Sequence, residues 1–147
     1  MNKFLRYSLS VIFAFVASIT FAATYTYSFT EKVFGNSGET KDLGGIEWTA
    51  TSDAGYFGFD AKYGKGQQFG SKKNPATTLT LSTAAFKDKI TAITVETAGA
   101  GGIKATLDVT VGGKAFGKQY TLTTTKTEAE FKGEGNGEIV LSYKNSA

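Results

Sequence analysis

Lys104-Ala105-Thr106-Leu107-Asp108-Val109-Thr110-Val111, followed by Gly112-Gly113, is the stretch that decides the fold. On an extended chain Ala105, Leu107, Val109 and Val111 fall on one side, and Lys104, Thr106, Asp108 and Thr110 on the other. One apolar and one polar face at period two is the pattern of an antiparallel strand with its inner side on a core and its outer side in water. The two glycines that follow tolerate the positive φ angles of a two-residue hairpin, so the chain should turn back at once.

The same period recurs in both directions. Tyr25, Tyr27 and Phe29 share a face in Ala23–Phe29, as do Ile46, Trp48 and Ala50 in Ile46–Thr51. Leu79 and Leu81, Ile93 and Val95, Tyr120 and Leu122, Ala129 and Phe131, and then Ile139, Leu141 and Tyr143 continue it. Glycine clusters at 35–38, 44–45, 99–102, 112–113 and 133–137 punctuate these runs at hairpin spacing. At most Ser82–Lys87 makes one helical turn. Eight to ten short strands in one domain imply an all-β, antiparallel two-sheet sandwich or a barrel.

Lys3 and Arg6 precede an uncharged apolar run, Leu9–Ile19, and Thr20-Phe21-Ala22 supplies small residues at the two positions a signal peptidase requires. Residues 1–22 therefore read as a signal-peptide helix cleaved after Ala22, and 23–147 as a single domain. The apolar run is shorter than the roughly 20 residues of a membrane span, so no membrane attachment is expected after cleavage. The location implied is secreted: extracellular, cell surface or periplasm.

The 147-residue chain contains no His and no Cys, which removes imidazole bases, thiolate nucleophiles, zinc knuckles and disulfides. After loss of Lys3 and Arg6 the remaining cations are all Lys, 14 against 13 acids. Without an arginine-bearing basic stripe, nucleic acid is not an expected partner.

Gly45-Ile46-Glu47-Trp48-Thr49, Lys65-Gly66-Gln67-Gln68-Phe69-Gly70-Ser71 and Thr78-Leu79-Thr80-Leu81-Ser82 come in this order. They are followed by Ile90–Val95, Ala105–Gly113 and Gly137–Tyr143. Together these stretches resemble a poorly characterised group of secreted bacterial β-sandwich domains of jelly-roll type, similar to carbohydrate-binding modules, from exported and surface proteins of gut anaerobes. The resemblance covers nearly all of 23–147. It rests on strands and turns and carries over no catalytic residue. It implies a further apolar strand beyond Ala147: either the sequence stops short of that strand, or the sheet beside Ile139–Tyr143 is expected to have an open edge through which the chain could self-associate.

Among candidate functional residues, Trp48 alternates in phase with Ile46 and Ala50 and reads as core. The segment 52–74 is the most aromatic polar stretch. With Phe57 and Phe59 inward, Tyr56 points out, near Asp60, Tyr63, Gln67 and Gln68. An exposed aromatic face beside carboxylate and amide groups suits a sugar ring and its hydroxyls, so these five residues form the expected ligand site. Gly64-Lys65-Gly66 lacks phosphate-loop spacing and reads as a turn. Glu134, Asn136 and Glu138, and Asp53 with Asp60, match no complete calcium loop, so no metal or other cofactor is expected. Glu47, Glu96, Asp108, Glu128 and Glu130 fall on solvent faces with no two placed across a cleft, and no enzymatic activity is expected. Thr121, Thr123, Thr125 and Thr127 form an alternating row that reads as exposed strand. The function expected is a non-catalytic binding module for extracellular glycan or a cell-surface polymer. The alternative is a structural or adhesive subunit that associates by strand pairing.

Overall fold

The computed structural model describes residues 14–19, 24–61, 66–71, 73–99 and 102–146. Thirteen strands and no helix occur among the described residues. The larger sheet has the order β10-β9-β13-β7-β4-β3, with β11 also paired to β9. Its strands are β3 (Glu39–Leu43), β4 (Ile46–Ser52), β7 (Thr78–Thr83), β9 (Ala105–Val111), β10 (Lys114–Ala115), β11 (Tyr120–Thr121) and β13 (Ile139–Asn145). The smaller sheet has the order β12-β8-β1-β2, built from β1 (Ala14–Ile19), β2 (Thr24–Ser28), β8 (Ile90–Thr97) and β12 (Thr127–Gly135). A separate hairpin pairs β5 (Phe57–Asp60) with β6 (Gly66–Phe69). Every pairing is antiparallel.

The alternation in the sequence becomes the core. Leu141 lies opposite Leu81 on one side and Val109 on the other, and Tyr143 opposite Leu79 and Leu107. The smaller sheet contributes Ile93 opposite Phe131 and Val95 opposite Ala129. All of these are buried in one continuous cluster to which both sheets contribute, the arrangement of a β-sandwich. Removing each large aliphatic side chain from water is worth about 1.5–3 kcal/mol, which is how a chain without disulfides reaches stability. Trp48 is 1% exposed, as its phase requires, and its indole Nε1–H donates to Tyr25 Oη at 3.1 Å.

Two turns are set by glycine pairs. Gly112 and Gly113, with φ of 61° and 81°, connect β9 to β10 with Val111 opposite Lys114. Gly44 and Gly45, at 65° and 94°, connect β3 to β4 with Leu43 opposite Ile46. A Cβ at Gly112 would run into the Asn136 carbonyl, so this turn also fixes how close the 133–137 turn can approach.

Residues 84–87 form no helical turn, within the limit of one that the sequence allowed, and Thr83 Oγ1 accepts from the Ala85 amide. Three expectations are corrected. Thirteen strands among the described residues replace eight to ten, because β3, β5, β6 and β10 are short, polar or glycine-interrupted. The edge beside Ile139–Tyr143 is not open, because β13 is flanked by β7 and β9 along its length and lies inside the sheet. Where a leader helix is expected, Ala14–Ile19 is a strand between β2 and β8. A continuous apolar run satisfies a buried strand as well as a helix, and periodicity does not separate the two. The cleavage site Thr20-Phe21-Ala22 lies outside the described residues.

Candidate functional site

The β5–β6 hairpin sorts the expected ligand residues by face. Its register pairs Phe57 with Phe69, Gly58 with Gln68, Phe59 with Gln67 and Asp60 with Gly66. Directly opposed residues share a face, so Phe57, Phe59, Gln67 and Phe69 point one way and Gly58, Asp60, Gly66 and Gln68 the other. The first set faces the core: Phe57 meets Phe69 edge-on at 5.4 Å, and Phe69 lies 6.3 Å from Phe34.

Gln67 is therefore not a ligand residue. It is fully buried, and its amide oxygen accepts from the Val33 and Phe34 amides at 2.8 and 3.0 Å. Its amide nitrogen donates to the Phe34 and Gly58 carbonyls at 3.0 and 3.1 Å. An irregular segment at 33–34 has no ladder to satisfy its backbone, and Gln67 supplies the missing partners. Strand period alone cannot announce this role, since an inward polar residue looks like a break in the pattern.

On the outer face Tyr56 is 43% exposed and is the exposed large hydrophobic side chain among the described residues. Its ring lies across Gly58, where a Cβ would come within 2.7 Å of the ring carbons, so the absence of a side chain there is what lets the tyrosine lie flat. Gln68 is half-buried and donates to the Gly70 carbonyl at 3.0 Å; Asp60 is half-buried on the same face. Tyr63 and the Gly64-Lys65-Gly66 turn, apart from Gly66, lie outside the described residues. Of the five expected residues the hairpin thus brings Tyr56, Asp60 and Gln68 to one face and turns Gln67 away from it.

A second polar surface was not foreseen. Along the outer face of the larger sheet, Thr40, Thr49 and Ser82 are in register across β3, β4 and β7. Thr51, Thr80 and Ser142 follow across β4, β7 and β13. Thr40 and Thr49 share a hydrogen bond of 2.7 Å. Over the first row an open cleft of about 380 Å³ is lined by Thr40, Glu47, Thr49, Ser82, Thr83 and Glu138 among others. It brings two exposed carboxylates, Glu47 and Glu138, to one concavity. Sequence cannot reveal this meeting, because it depends on β13 and β4 both pairing with β7.

Other candidates resolve as structure. Asp53 Oδ1 accepts from the Thr77 and Thr78 amides at 2.9 and 3.0 Å, and its other oxygen from the Thr77 hydroxyl. Burial pushes its carboxyl up, but these hydrogen bonds outweigh burial and hold it below the usual value. Glu134 pairs with Lys89 at 3.7 Å and lies with Asn136 along a different cleft from Glu138. Among the described residues no three His, Cys, Asp or Glu side chains gather as a metal site. The Thr121–Thr127 row is not one strand: Thr121 belongs to β11, Thr127 to β12, and the Thr123 and Thr127 hydroxyls both donate to the Thr125 carbonyl in the turn between them.

No protein family, no curated protein and no solved structure was found to match the chain. Among the described residues no helix is long and apolar enough to cross a membrane.

Proposed function

We propose that this chain is an exported, non-catalytic β-sandwich module that binds extracellular carbohydrate or a cell-surface polymer. The observation that carries this reading is the outer face of the β5–β6 hairpin, where the exposed Tyr56 ring lies over Gly58 beside Asp60 and Gln68. The ring offers a face to sugar C–H groups, and the carboxylate and amide offer acceptors and donors to hydroxyls. The hydroxyl rows and the Glu47/Glu138 cleft favour a polyhydroxylated ligand as well. Catalysis is the weaker reading: both carboxylates are exposed to water, and an acid catalyst for glycoside cleavage needs a desolvated setting to hold its proton. Export rests on Lys3, Arg6, the apolar run and Thr20-Phe21-Ala22. The jelly-roll arrangement and kinship with gut-anaerobe modules belong to the same proposal. They are favoured by the way the chain passes alternately between sheets through β7, β8 and β9 and again through β12 and β13.

Glycan-array binding by the exported chain tests the reading. Tyr56→Ala should lower retention at least tenfold with stability held within about 0.5 kcal/mol, as for a surface change. Gln67→Ala should instead destabilise the fold by about 1–3 kcal/mol by leaving buried amides unpaired. Binding that survives Tyr56→Ala but is lost in Glu47→Gln/Glu138→Gln would move the site to the cleft. An array with no retained glycan would contradict carbohydrate binding.

A further inference from the structure

Ala14–Ile19 holds two places at once: it is the apolar stretch of the proposed leader and an internal strand of the smaller sheet. As β1 it pairs with β2 from Ala14↔Ser28 to Ser18↔Thr24, and with β8 from Phe15↔Val95 to Ile19↔Ile90. Among the described strands β2 has no other neighbour in the sheet, and β8 has only β12 on its far side. Cleavage after Ala22 would therefore remove the sole sheet partner of β2 and uncover one whole edge of β8.

The flanking strands cannot simply close over the gap. β1 is antiparallel to both, so β2 and β8 run parallel, about 10 Å apart or two strand spacings. β2 is also tied to the opposite layer by contacts that do not involve β1. Tyr25 Oη donates to the Leu43 carbonyl at 2.5 Å and accepts from Trp48 Nε1 at 3.1 Å, and the Tyr25 ring meets Phe86 edge-on at 5.4 Å. Moving β2 by one strand spacing onto β8 breaks all three. The one strand a second processed copy has unpaired is its own β2, which the same Tyr25 contacts hold against that copy's own core, and its other described strands are already paired.

We infer that the processed protein carries a one-strand slot between β2 and β8 that accepts an extended segment from a different polypeptide, antiparallel to both flanks. This rests on the leader reading given above. The structure specifies the occupant, because it shows one. The segment has about six residues. The places held by Phe15 and Ala17 lie in register with the buried Val95 and Ile93, so they take apolar side chains. The places held by Val16 and Ser18 lie opposite Thr94 and Ala92, which are half-buried on the other face, and they tolerate small or polar ones. Backbone hydrogen bonds on both edges supply affinity and the alternating places supply selectivity.

The test uses the exported protein, its N-terminus fixed by intact mass, and a synthetic peptide of residues 13–20. Processed protein starting at Ala23 should gain about 10 °C in Tm with peptide at a hundredfold its Kd, and amide exchange in β2 should slow about 100-fold. A control peptide carrying Phe15→Lys and Ala17→Lys should do neither. If the processed chain precipitates alone, soluble recovery with the native peptide and not with the control supports the slot; equal recovery with both overturns it. A processed chain with β2 amides already protected as a monomer, and no response to peptide, overturns the slot and leaves the leader reading standing. Protection that appears only as the chain dimerises overturns the separate partner in favour of a second copy. Exported protein that keeps Met1 overturns both, since the strand is then supplied permanently by the chain itself.

Discussion

In the larger sheet an inner strand, β13, is clasped on both sides by β7 and β9, and burial alternates along all three. In the smaller sheet the corresponding inner place is shared by β8, whose burial alternates from Ile93 onward, and by β1, which comes from an uncharged apolar run. The first sheet needs no part of that run for its pairing. The second depends, for the continuity between β2 and β8, on residues whose composition also fits an export leader. The sheets thus differ in where their pairing comes from: one is formed within residues 39–145, and in the other β2 and β8 are joined through residues 14–19.

The division can be broken most forcefully at Trp48, which sits on the larger sheet yet anchors β2 of the smaller one through Tyr25. Trp48→Ala should cost about 3–5 kcal/mol, the usual loss for emptying a large buried aromatic site. Denaturant unfolding measures the cost, and indole emission in the parent should be blue-shifted and poorly quenched by iodide. Ready quenching with little loss of stability would mean that the two layers are not joined there.

A milder probe is alkaline pH. Burial first, with Tyr27 and Asp42 adding to it against the Trp48 hydrogen bond, pushes the Tyr25 phenol from 10.0 up to about 12. The folded pKa exceeds the unfolded one, so the Tyr25 contribution is whole below about pH 10 and disappears as pH climbs towards 12. Burial also raises Tyr143, in the larger sheet, and Tyr27. Stability should consequently fall across that window. Tyr25→Phe should flatten the Tyr25 part of the fall and leave the Tyr27 and Tyr143 parts intact. An unchanged slope in Tyr25→Phe would show that β2 is not held by this contact.

The smallest expected effect lies on the outside of the smaller sheet. Glu128 stands directly opposite Glu96, a like-charge pair only partly relieved by Lys126 at 3.1 Å from Glu96. Glu128→Thr should raise stability by about 0.2–1 kcal/mol, read as a shift in the denaturant midpoint without a change in slope. A loss instead would mean that Glu128 has a favourable role on this face.

The same contrast explains how far the sequence could be read. β4, β8, β9 and β13 announce themselves because each buries one face and wets the other, and Gly112-Gly113 fixes a hairpin. β3 escaped notice because Glu39-Thr40-Lys41-Asp42-Leu43 lies at a sheet edge and buries little beyond Leu43; the Gly44-Gly45 pair ahead of Ile46 was the available signal. The inward aromatics and the outward Tyr56 of the hairpin were legible from phase. Gln67 was not, because its role is set by unsatisfied amides at 33–34, far away in sequence. The Glu47/Glu138 cleft was not legible either, since strand order creates it. β1 was hidden because an apolar run carries the same composition whether it leads a chain through a membrane or fills the middle of a sheet.

Hydrogen exchange tests the division between the sheets most directly, comparing exported protein that begins at Ala23 with full-length chain whose processing is blocked at Ala22. The prediction is that β13 amides are equally protected in both, while β2 amides, and those on the β1-facing edge of β8, are protected in the full-length chain and exchange rapidly in the processed one. Equal protection of β2 in the two proteins would contradict the account, because the smaller sheet would then be complete without residues 14–19.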